Sequence, residues 1–526
     1  MRGAVAYCEL ISIISSNHAG SHRVPVLAAA KDAPMSLTRR NFLVGAASAA
    51  GLSAVNLAAG QPAASLAADA ASQAVAAAAP RTEYATLLDI EKCIGCGQCV
   101  EGCHERNGHR FPEAKKPLPV MFPPGTKDED WSAKRHVDDR LTPYNWLYIE
   151  TVTVQKDGAP LDLHIPRRCL HCTNPPCANL CPWGAASRAP DTGTVSIDSQ
   201  TCLGGAKCRT VCPWHIPQRQ SGVGLYLDLM PRFAGNGVMY KCDRCADSFA
   251  HGQLPACVEV CPQQVQTIGP RDQILAQAQK LAQERGAYLY GVTENGGTNT
   301  FYLSPVPFSE IAQQAKPGPG KPTMGPVADS MAQAGNLTRM LVAAPLVGVA
   351  GALVRAAQQG QPLPKSPRSL HDPQVDMVQT GGLLKKLWVA LALMLGFTGM
   401  MQLPVASRYG IARIPGLTWT GDFFTTLNIH YVLAALLLAL GFYWLVLMLR
   451  GRLRGRLSFW GKARLGVLGV VVVSGLARVA KNLPSITFSS GTTTFVDLVH
   501  LGFAVLLGIL CLTLWVRGRG AWREPE

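Results

Sequence analysis

Charged residues are scarce in this chain of 526 residues: Asp, Glu, Lys and Arg make up only 16%, whereas 48% of the residues are hydrophobic. A soluble domain usually carries nearer a quarter charged residues, so part of the chain is expected to lie in a membrane. Acidic residues are the scarcer sign, 34 against 49 basic, and the formal net charge is +15. The basic residues gather beside apolar segments in the C-terminal third, which indicates membrane topology and argues against a nucleic-acid partner.

The sequence also lacks a nucleophile-base pair and a nucleotide-binding loop, so we expect no substrate active site within the chain itself. Any reaction would then depend on bound cofactors. Cysteine is nearly absent outside one stretch, because 15 of the 17 cysteines lie between Cys93 and Cys261. The other two, Cys8 and Cys511, are expected to ligate nothing.

The fifteen cysteines fall into four groups with nearly one spacing. The first reads C-x2-C-x2-C-x3-C, the run that binds cubic iron-sulfur clusters in bacterial ferredoxins. A disulfide framework or a set of zinc ribbons does not need such runs of four. The sequence therefore predicts iron-sulfur clusters. In chain order the groups are Cys93, Cys96, Cys99 and Cys103; Cys169, Cys172, Cys177 and Cys181; Cys202, Cys208 and Cys212; and Cys242, Cys245, Cys257 and Cys261.

The third group lacks one ligand. When it is aligned with the first group, Gly205 stands at the position that corresponds to Cys96. Three thiolates cannot hold a fourth iron, so we predict a [3Fe-4S] cluster there. A cubic cluster with a non-cysteine ligand and a sequencing error are the alternatives. Loss of a thiolate removes negative charge and is expected to raise the reduction potential of this cluster.

With Leu254-Pro255-Ala256-Cys257-Val258-Glu259-Val260-Cys261-Pro262 at the last group, the cysteine pattern resembles the four-cluster ferredoxin subunits of exported respiratory enzymes. These are the electron-transfer subunit of nickel-iron hydrogenases and the β subunit of formate dehydrogenase. The resemblance covers roughly residues 82–306, and its motifs are specific for this class. It implies that group one pairs with group four and group two with group three. Three [4Fe-4S] clusters and one [3Fe-4S] cluster would then be held, in turn, by Cys93, Cys96, Cys99 and Cys261; by Cys103, Cys242, Cys245 and Cys257; by Cys169, Cys172, Cys177 and Cys212; and by Cys181, Cys202 and Cys208.

The N-terminal part predicts export. Residues 1–34 are interpreted as an over-extended N-terminus, with Met35 as the true start. Arg39 and Arg40 precede an Ala/Gly-rich apolar run, so residues 35–80 are predicted to be a twin-arginine signal and a linker. That route carries folded, cofactor-loaded proteins, which suits a cluster domain.

The predicted fold is an α+β ferredoxin-like domain over residues 81–335, followed by an all-α transmembrane domain. In the first domain a short strand is predicted at 84–89, and a helix at 271–285 with Ile274, Ala278 and Leu281 on one face. The latter consists of an anchor helix at 336–357, a cytoplasmic linker at 358–382 and a four-helix cytochrome b-like bundle at 383–526. Each apolar segment is near the ~20 residues needed to cross a bilayer. The basic loop 450–464 is expected on the cytoplasmic side, with the C-terminus, which places the ferredoxin domain in the periplasm. The predicted spans are Leu337–Val354, Leu387–Ala406, Thr425–Leu449, Leu465–Ala480 and Phe495–Val516.

Two histidines within these spans predict a haem. His430 and His500 lie at similar depth near the outer ends of their segments, and ionisable residues within a membrane are usually functional. A bis-histidine haem b is predicted, with Arg478 and Lys481 available to pair with its propionates. Two hydrogen-bonded interfacial histidines are the alternative.

The bundle resembles the cytochrome b subunit of formate dehydrogenase, whose members use two haems. Here the segment Leu387–Ala406 contains no histidine and none follows His500. Only one haem is therefore expected, with quinone chemistry near the outer face.

These features predict a membrane-anchored subunit that passes electrons between an exported catalytic subunit, of molybdopterin or nickel-iron type, and quinone. One alternative is a stand-alone quinone oxidoreductase that exchanges electrons with a soluble or multihaem cytochrome. The other is a ferredoxin domain on a haem-free membrane scaffold.

Overall fold

A computed structural model of the protein describes residues 83–233, 235–316, 318–358, 382–403, 408–449, 457–483, 486 and 488–518. The predicted export signal, nearly all of the predicted cytoplasmic linker and residues 450–456 of the basic loop lie outside these residues. The described chain divides into an N-terminal α+β part and a C-terminal helical part.

The α+β part is built from short elements between long loops. Its strands are β1 Tyr84–Asp89, β2 Tyr148–Lys156, β3 Ala159–Arg167, β4 Ala186–Arg188, β5 Val195–Ile197, β6 Gln218–Gln220, β7 Val238–Tyr240, β8 Gln266–Pro270, β9 Tyr288–Tyr290 and β10 Thr300–Ser304. Its helices are α1 Gln98–Asn107, α2 Pro176–Asn179, α3 Lys207–Thr210, α4 Tyr226–Leu229, α5 Ala246–Ala250, α6 Ala256–Glu259, α7 Arg271–Arg285 and α8 Phe308–Gln314.

A four-stranded sheet of order β8-β1-β10-β9 supports the cysteine loops. Strand β1 pairs in parallel with β10 and antiparallel with β8. Helix α7 covers this sheet, with Ile274 and Ala278 buried against Phe301. The predicted strand at 84–89 and the predicted helix at 271–285 are confirmed with the same bounds. Their apolar periodicity is regular, and Pro270 and Gly286 bound the helix.

Five helices in the C-terminal part are long and apolar enough to cross a membrane, among the residues that the structure describes. They are α9 Ala334–Gln358, α10 Gly382–Met401, α11 Phe423–Leu449, α12 Phe459–Ala480 and α13 Ser490–Val516. Five apolar segments were predicted, and each one is a helix. Helix α10 ends before the predicted Ala406, since Pro404 disfavours helical backbone at the residue before it. Helix α12 starts six residues before the predicted Leu465, where Ser458 caps it by accepting a hydrogen bond from Gly461 N–H at 3.0 Å.

The membrane helices form two antiparallel hairpins. Helix α10 packs along α11, and α12 packs along α13, whereas the hairpins contact each other only sparsely. Helix α9 lies along α11, and its Gly348 sits directly against the carbonyl of Ala439, where a side chain would not fit. Such small residues let helix backbones approach closely within a membrane.

The two parts of the chain share a hydrophobic cluster. Leu180 and Val211, from the cysteine loops, pack with Leu341 of α9 and with Leu427 and Tyr431 of α11. This packing fixes the cysteine loops against one end of the membrane helices.

Candidate electron-transfer sites

The structure brings the fifteen cysteines together in four sets, which we number in their spatial order. Three sets each line a small cavity, at sites 1, 2 and 3. These groupings coincide with those that the family resemblance implied. Site 1 is Cys93, Cys96, Cys99 and Cys261; site 2 is Cys103, Cys242, Cys245 and Cys257; site 3 is Cys169, Cys172, Cys177 and Cys212; and site 4 is Cys181, Cys202 and Cys208.

Helical spacing links neighbouring sites. Helix α1 carries Cys99 of site 1 and Cys103 of site 2, four residues apart. Helix α2 carries Cys177 of site 3, and Cys181 of site 4 follows it by four residues. Residues four apart lie one turn along the same helix face, about 6 Å from each other. Each helix therefore fixes the separation of two adjacent sites.

Sites 2 and 3 are joined by contacts between loops. Nε2 of His171, next to the site 3 ligand Cys172, lies 3.9 Å from Sγ of Cys242 in site 2. Burial raises the pKa of the Cys242 thiol to about 12, and the nearby Cys169 of site 3 adds to the increase. The four sites thus follow one another in a line from 1 to 4.

Exposure marks the two ends of this line. Only four of the fifteen cysteines are half-buried, namely Cys93, Cys96 and Cys261 of site 1 and Cys181 of site 4. The other eleven are buried. Sites 2 and 3 are therefore interior, whereas sites 1 and 4 reach the domain surface.

The cysteine geometry does not suit single metal ions. Within the described ranges, no group of three or more His, Cys, Asp or Glu side chains converges closely enough to hold one ion. A zinc site would need four such ligands about 2 Å from one centre. An iron-sulfur cluster spreads its cysteine ligands around several metal atoms and does not need such convergence.

The surroundings of Arg168 indicate whether an anionic group fits between sites 1 and 2. This side chain is only 2% exposed, and its Nη1 donates to Sγ of Cys257 at 2.8 Å. Its Nε and Nη2 have no hydrogen-bond partner, and no carboxylate pairs with it, among the described residues. A buried, unpaired guanidinium is costly. Anionic iron-sulfur clusters beside it would compensate its charge, so the residues present fit such clusters.

Site 4 has three cysteines, and the structure leaves room at Gly205 for the side chain of a fourth ligand. Gly205 is exposed, has an ordinary backbone conformation, and has no atom within 4 Å of the position that a Cβ would take. Backbone N–H groups donate to the remaining sulfurs: Ala186 to Cys181 at 3.5 Å, and Gly204 and Met239 to Cys202 at 3.4 and 3.5 Å. Such hydrogen bonds raise the potential of a bound cluster.

Site 4 also touches the membrane helices. Lys207, which precedes Cys208, donates from Nζ to the carbonyl of Gln402 at 2.6 Å, and Nζ lies 3.9 Å from the ring centre of Phe423. Nζ of Lys481 lies 3.4 Å from the carbonyl of Cys181. The end of the line of cysteine sites therefore rests on the adjacent ends of α10, α11 and α12.

The two histidines of the bundle are held in the same way, one in each hairpin. Nδ1 of His430 lies 2.9 Å from Oγ1 of Thr398, and a Cβ at Gly399 would lie 3.3 Å from the His430 ring. Nδ1 of His500 lies 3.2 Å from Oγ of Ser474 and 3.1 Å from the carbonyl oxygen of Val471. In neither ring does Nε2 have a hydrogen-bond partner among the described residues, so each imidazole keeps one nitrogen for a metal.

Arg478 and Lys481, the predicted propionate partners, both contact Asp497. The distances from Arg478 Nε and Lys481 Nζ to its carboxylate oxygens are 2.7 and 3.6 Å. Asp497 lies one turn before His500 and is 9% exposed. Sequence reasoning missed Thr398 and Ser474. Their signal was the repeat of Thr398-Gly399 as Ser474-Gly475, once in each hairpin.

Fold and cysteine geometry together define an iron-sulfur protein of the ferredoxin type, joined to a helical membrane domain. Two family models match, both described as 4Fe-4S dicluster domains, over residues 92–185 and 162–271. They overlap and cover all four cysteine groups.

Individual relatives match over the same part of the chain. The chain is 30% identical over 259 residues to the hydrogenase-2 operon protein HybA of Escherichia coli O157:H7, which covers 43% of this chain and 71% of HybA. It is 30% identical over 234 residues to the formate dehydrogenase iron-sulfur subunit of Haemophilus influenzae, covering 42% and 65% of the two chains. A protein of Nitratidesulfovibrio vulgaris is 33% identical over 245 residues, which covers 45% of this chain and 58% of that protein.

The chain belongs to the family of ferredoxin-type iron-sulfur electron-transfer subunits that includes HybA. It carries several iron-sulfur clusters and a membrane-anchoring helical part. The matches span between 58% and 71% of the lengths of these three relatives.

Proposed function

We propose that the protein is a membrane-anchored electron conduit, which connects an exported catalytic subunit with membrane quinone through four iron-sulfur clusters and one haem b. The carrying observation is the linear order of sites 1 to 4, whose last member rests on the helical bundle that contains His430 and His500. The cofactors supply the electron-transfer chemistry when bound. The chain fixes their spacing and surroundings.

The cysteine ligands are proposed as the structure groups them. Sites 1, 2 and 3 would each hold a [4Fe-4S] cluster, and site 4, with Gly205 in place of a ligand, would hold a [3Fe-4S] cluster. Burial and the neighbouring thiols raise the pKa of the Cys93 thiol to about 11. Binding of a cluster must therefore displace protons from such thiols.

His430 and His500 would hold haem b through their Nε2 atoms. The hydroxyl groups of Thr398 and Ser474 orient the imidazoles, since a hydrogen bond at Nδ1 directs Nε2 to the metal. The sparse packing between the two hairpins supports a cofactor there. Lys481 and Arg478, already beside Asp497, would stabilise propionates at the outer level.

The half-buried site 1 is the proposed docking side for the catalytic subunit. HybA is named for a hydrogenase operon, and the Haemophilus protein is named as a subunit of formate dehydrogenase. A nickel-iron or molybdopterin partner is therefore proposed for this chain as well. The cluster domain would lie on the periplasmic side and the C-terminus in the cytoplasm, as the basic loop and export signal predict.

A purification from gently solubilised membranes tests the proposal. Co-elution of a catalytic subunit, together with a reducible haem b spectrum, is the expected result. His430→Ala and His500→Ala should each abolish the haem spectrum and leave the iron-sulfur signals unchanged. His251→Ala, at an exposed loop residue of the cluster domain, is the matched control and should keep both.

The alternatives give other results. A haem b spectrum without a catalytic subunit would favour the stand-alone quinone oxidoreductase. Iron-sulfur signals without any haem would favour the haem-free scaffold and would contradict the conduit.

A further inference from the structure

Exposed apolar side chains of the α+β part are concentrated in one place. Of the ten large hydrophobic side chains that are exposed among its described residues, six come from two adjacent segments. We call this set the lateral patch. It consists of Val120, Phe122, Leu225, Leu229, Met230 and Phe233.

The two segments of the lateral patch are bonded to each other. Phe122 N–H donates to the carbonyl of Arg232 at 3.0 Å, and the rings of Phe122 and Phe233 lie 5.3 Å apart. Leu225 and Leu229 are one turn apart on α4, so they share a face. Val120, Leu229 and Met230 are 74%, 56% and 56% exposed. Soluble domains rarely expose so many neighbouring apolar side chains.

The lateral patch is tied to the loop between two membrane helices. Arg408, which follows α10, donates to the carbonyls of Phe122, Arg232 and Phe233 at 2.9, 2.9 and 2.8 Å. The ring of Tyr409 lies 6.1 Å from that of Phe122. This loop leads into α11 at Phe423, so it lies where two spans leave the bilayer.

The apolar surface continues along that loop. Tyr409 and Ile414 are 46% and 50% exposed. Arg232 and Arg413 are also exposed residues of this surface, and Nε of Arg232 donates to the carbonyl of Val120 at 3.1 Å. Asp228 and, at the end of the loop, Asp422 are exposed carboxylates of this region. Apolar side chains flanked by basic groups, at the level of helix ends, fit the boundary between acyl chains and phosphate headgroups.

We propose that the lateral patch is a membrane-contact surface, which lies on the outer leaflet of the bilayer beside the helical bundle. The occupant is phospholipid. Its role is to hold the cluster domain at a fixed tilt on the membrane, because the shared hydrophobic cluster at Leu180 and Val211 fixes only one side of that domain. The inference depends on the membrane helices but on neither the haem nor the clusters.

Photocrosslinking in native membranes tests this surface. The full-length protein is made with p-benzoylphenylalanine in place of Leu229 or, separately, Phe233, irradiated, and examined by mass spectrometry for lipid adducts. The same substitution at Leu254, which is 44% exposed elsewhere on the cluster domain, is the matched control. Leu393, 70% exposed on α10, is the positive control.

The expected result is lipid adduct at Leu229 and Phe233 in at least tenfold excess over Leu254. Crosslinks to another protein without lipid adduct would assign the patch to a partner subunit and overturn the proposal. It would also be overturned by equal lipid labelling at Leu254, or by labelling at Leu393 alone. The experiment measures lipid contact only. A result that overturns the lateral patch would therefore be distinct from the loss of haem or partner that would contradict the conduit.

Discussion

Oγ1 of Thr398 lies 2.9 Å from Nδ1 of His430, and Ser474 makes the corresponding contact with His500 in the second hairpin. If these hydroxyls orient haem ligands, Thr398→Val and Ser474→Ala should weaken haem binding by about 10- to 100-fold, which is typical of lost partners behind a ligating histidine. Haem content per protein and the low-spin electron paramagnetic resonance spectrum are the measurements.

Thr513→Val is the control for Thr398→Val. Oγ1 of Thr513 bonds only to carbonyls of its own helix, α13, at 2.9 and 3.1 Å. This variant should keep full haem content. If Thr513→Val lost as much haem as Thr398→Val, the loss would be due to general destabilisation of the helices and not to the contact with His430.

Gly205→Cys should convert site 4 into a four-ligand site. The position has room for a side chain and no strained backbone angle, and the added thiolate supplies the ligand that the other groups have. We expect the resonance of an oxidised three-iron cluster to disappear and the potential of site 4 to fall, because negative charge is added. Gly205→Ala adds a side chain without a thiolate and should keep the three-iron signal. Persistence of that signal in Gly205→Cys would contradict the assignment.

Much of the fold and chemistry of the cluster domain could be predicted, because residues close together in the sequence determine it. The strand at 84–89 and the helix at 271–285 follow from periodicity with Pro and Gly boundaries, and the cysteine spacing predicted iron-sulfur chemistry. Helix ends were less predictable. The apolar residues of a span do not show that α10 ends before Pro404 or that α12 begins at the Ser458 cap.

Contacts between distant parts of the chain were not predictable. Lys207 and Gln402 lie 195 residues apart, and nothing in either neighbourhood announces a hydrogen bond between them. The ion pairs of Asp497 were also missed, although Arg478 and Lys481 were singled out, because the sequence did not show which acid would face them. The family resemblance supplied the pairing of cysteine groups, which spacing alone does not determine.

Removal of the buried charge at Arg168 should lower a cluster potential. By Coulomb's law, one elementary charge about 6 Å away at an effective dielectric constant of about 20 is worth about 3 kcal/mol, or on the order of 100 mV for one electron. Arg168→Met should therefore shift the cluster proposed for site 2 to a more negative potential by roughly that amount. A redox titration followed by electron paramagnetic resonance measures it.

Two further variants separate charge from packing at this position. Arg168→Lys keeps the charge and should shift the potential much less. Arg106→Met removes a half-buried arginine whose charge is already paired with Glu259 at 2.9 Å, so the potentials should change much less than in Arg168→Met. Equal shifts in Arg168→Met and Arg106→Met would exclude a specific role for Arg168.

Glu129 should stabilise the loop that carries site 4, in a pH-dependent way. Its two carboxylate oxygens each accept a hydrogen bond from Arg209 at 2.7 Å, and Arg219 donates to it as well. Burial acts to raise the pKa of this carboxyl, but the two arginines outweigh burial, so its pKa is lowered. A lowered pKa stabilises the fold fully above the ordinary carboxyl value, and this stabilisation is lost as the pH falls through the lowered pKa.

Glu129→Gln should therefore cost about 1.5–3 kcal/mol at neutral pH, as expected for hydrogen bonds to a charged group. The difference from wild type should shrink in acid, where Glu129 of the wild type becomes protonated. The measurement is the temperature at which half of the cluster absorbance is lost, at one fixed heating rate. Wild type and variant are compared from pH 7 down to the lowest pH at which the holoprotein keeps its clusters. Asp139→Asn is the control, since Asp139 is 51% exposed beside Arg140 and Lys321, where screening leaves little to lose. A Glu129→Gln effect that grew in acid would have the wrong sign, because protonation makes the wild-type side chain resemble glutamine.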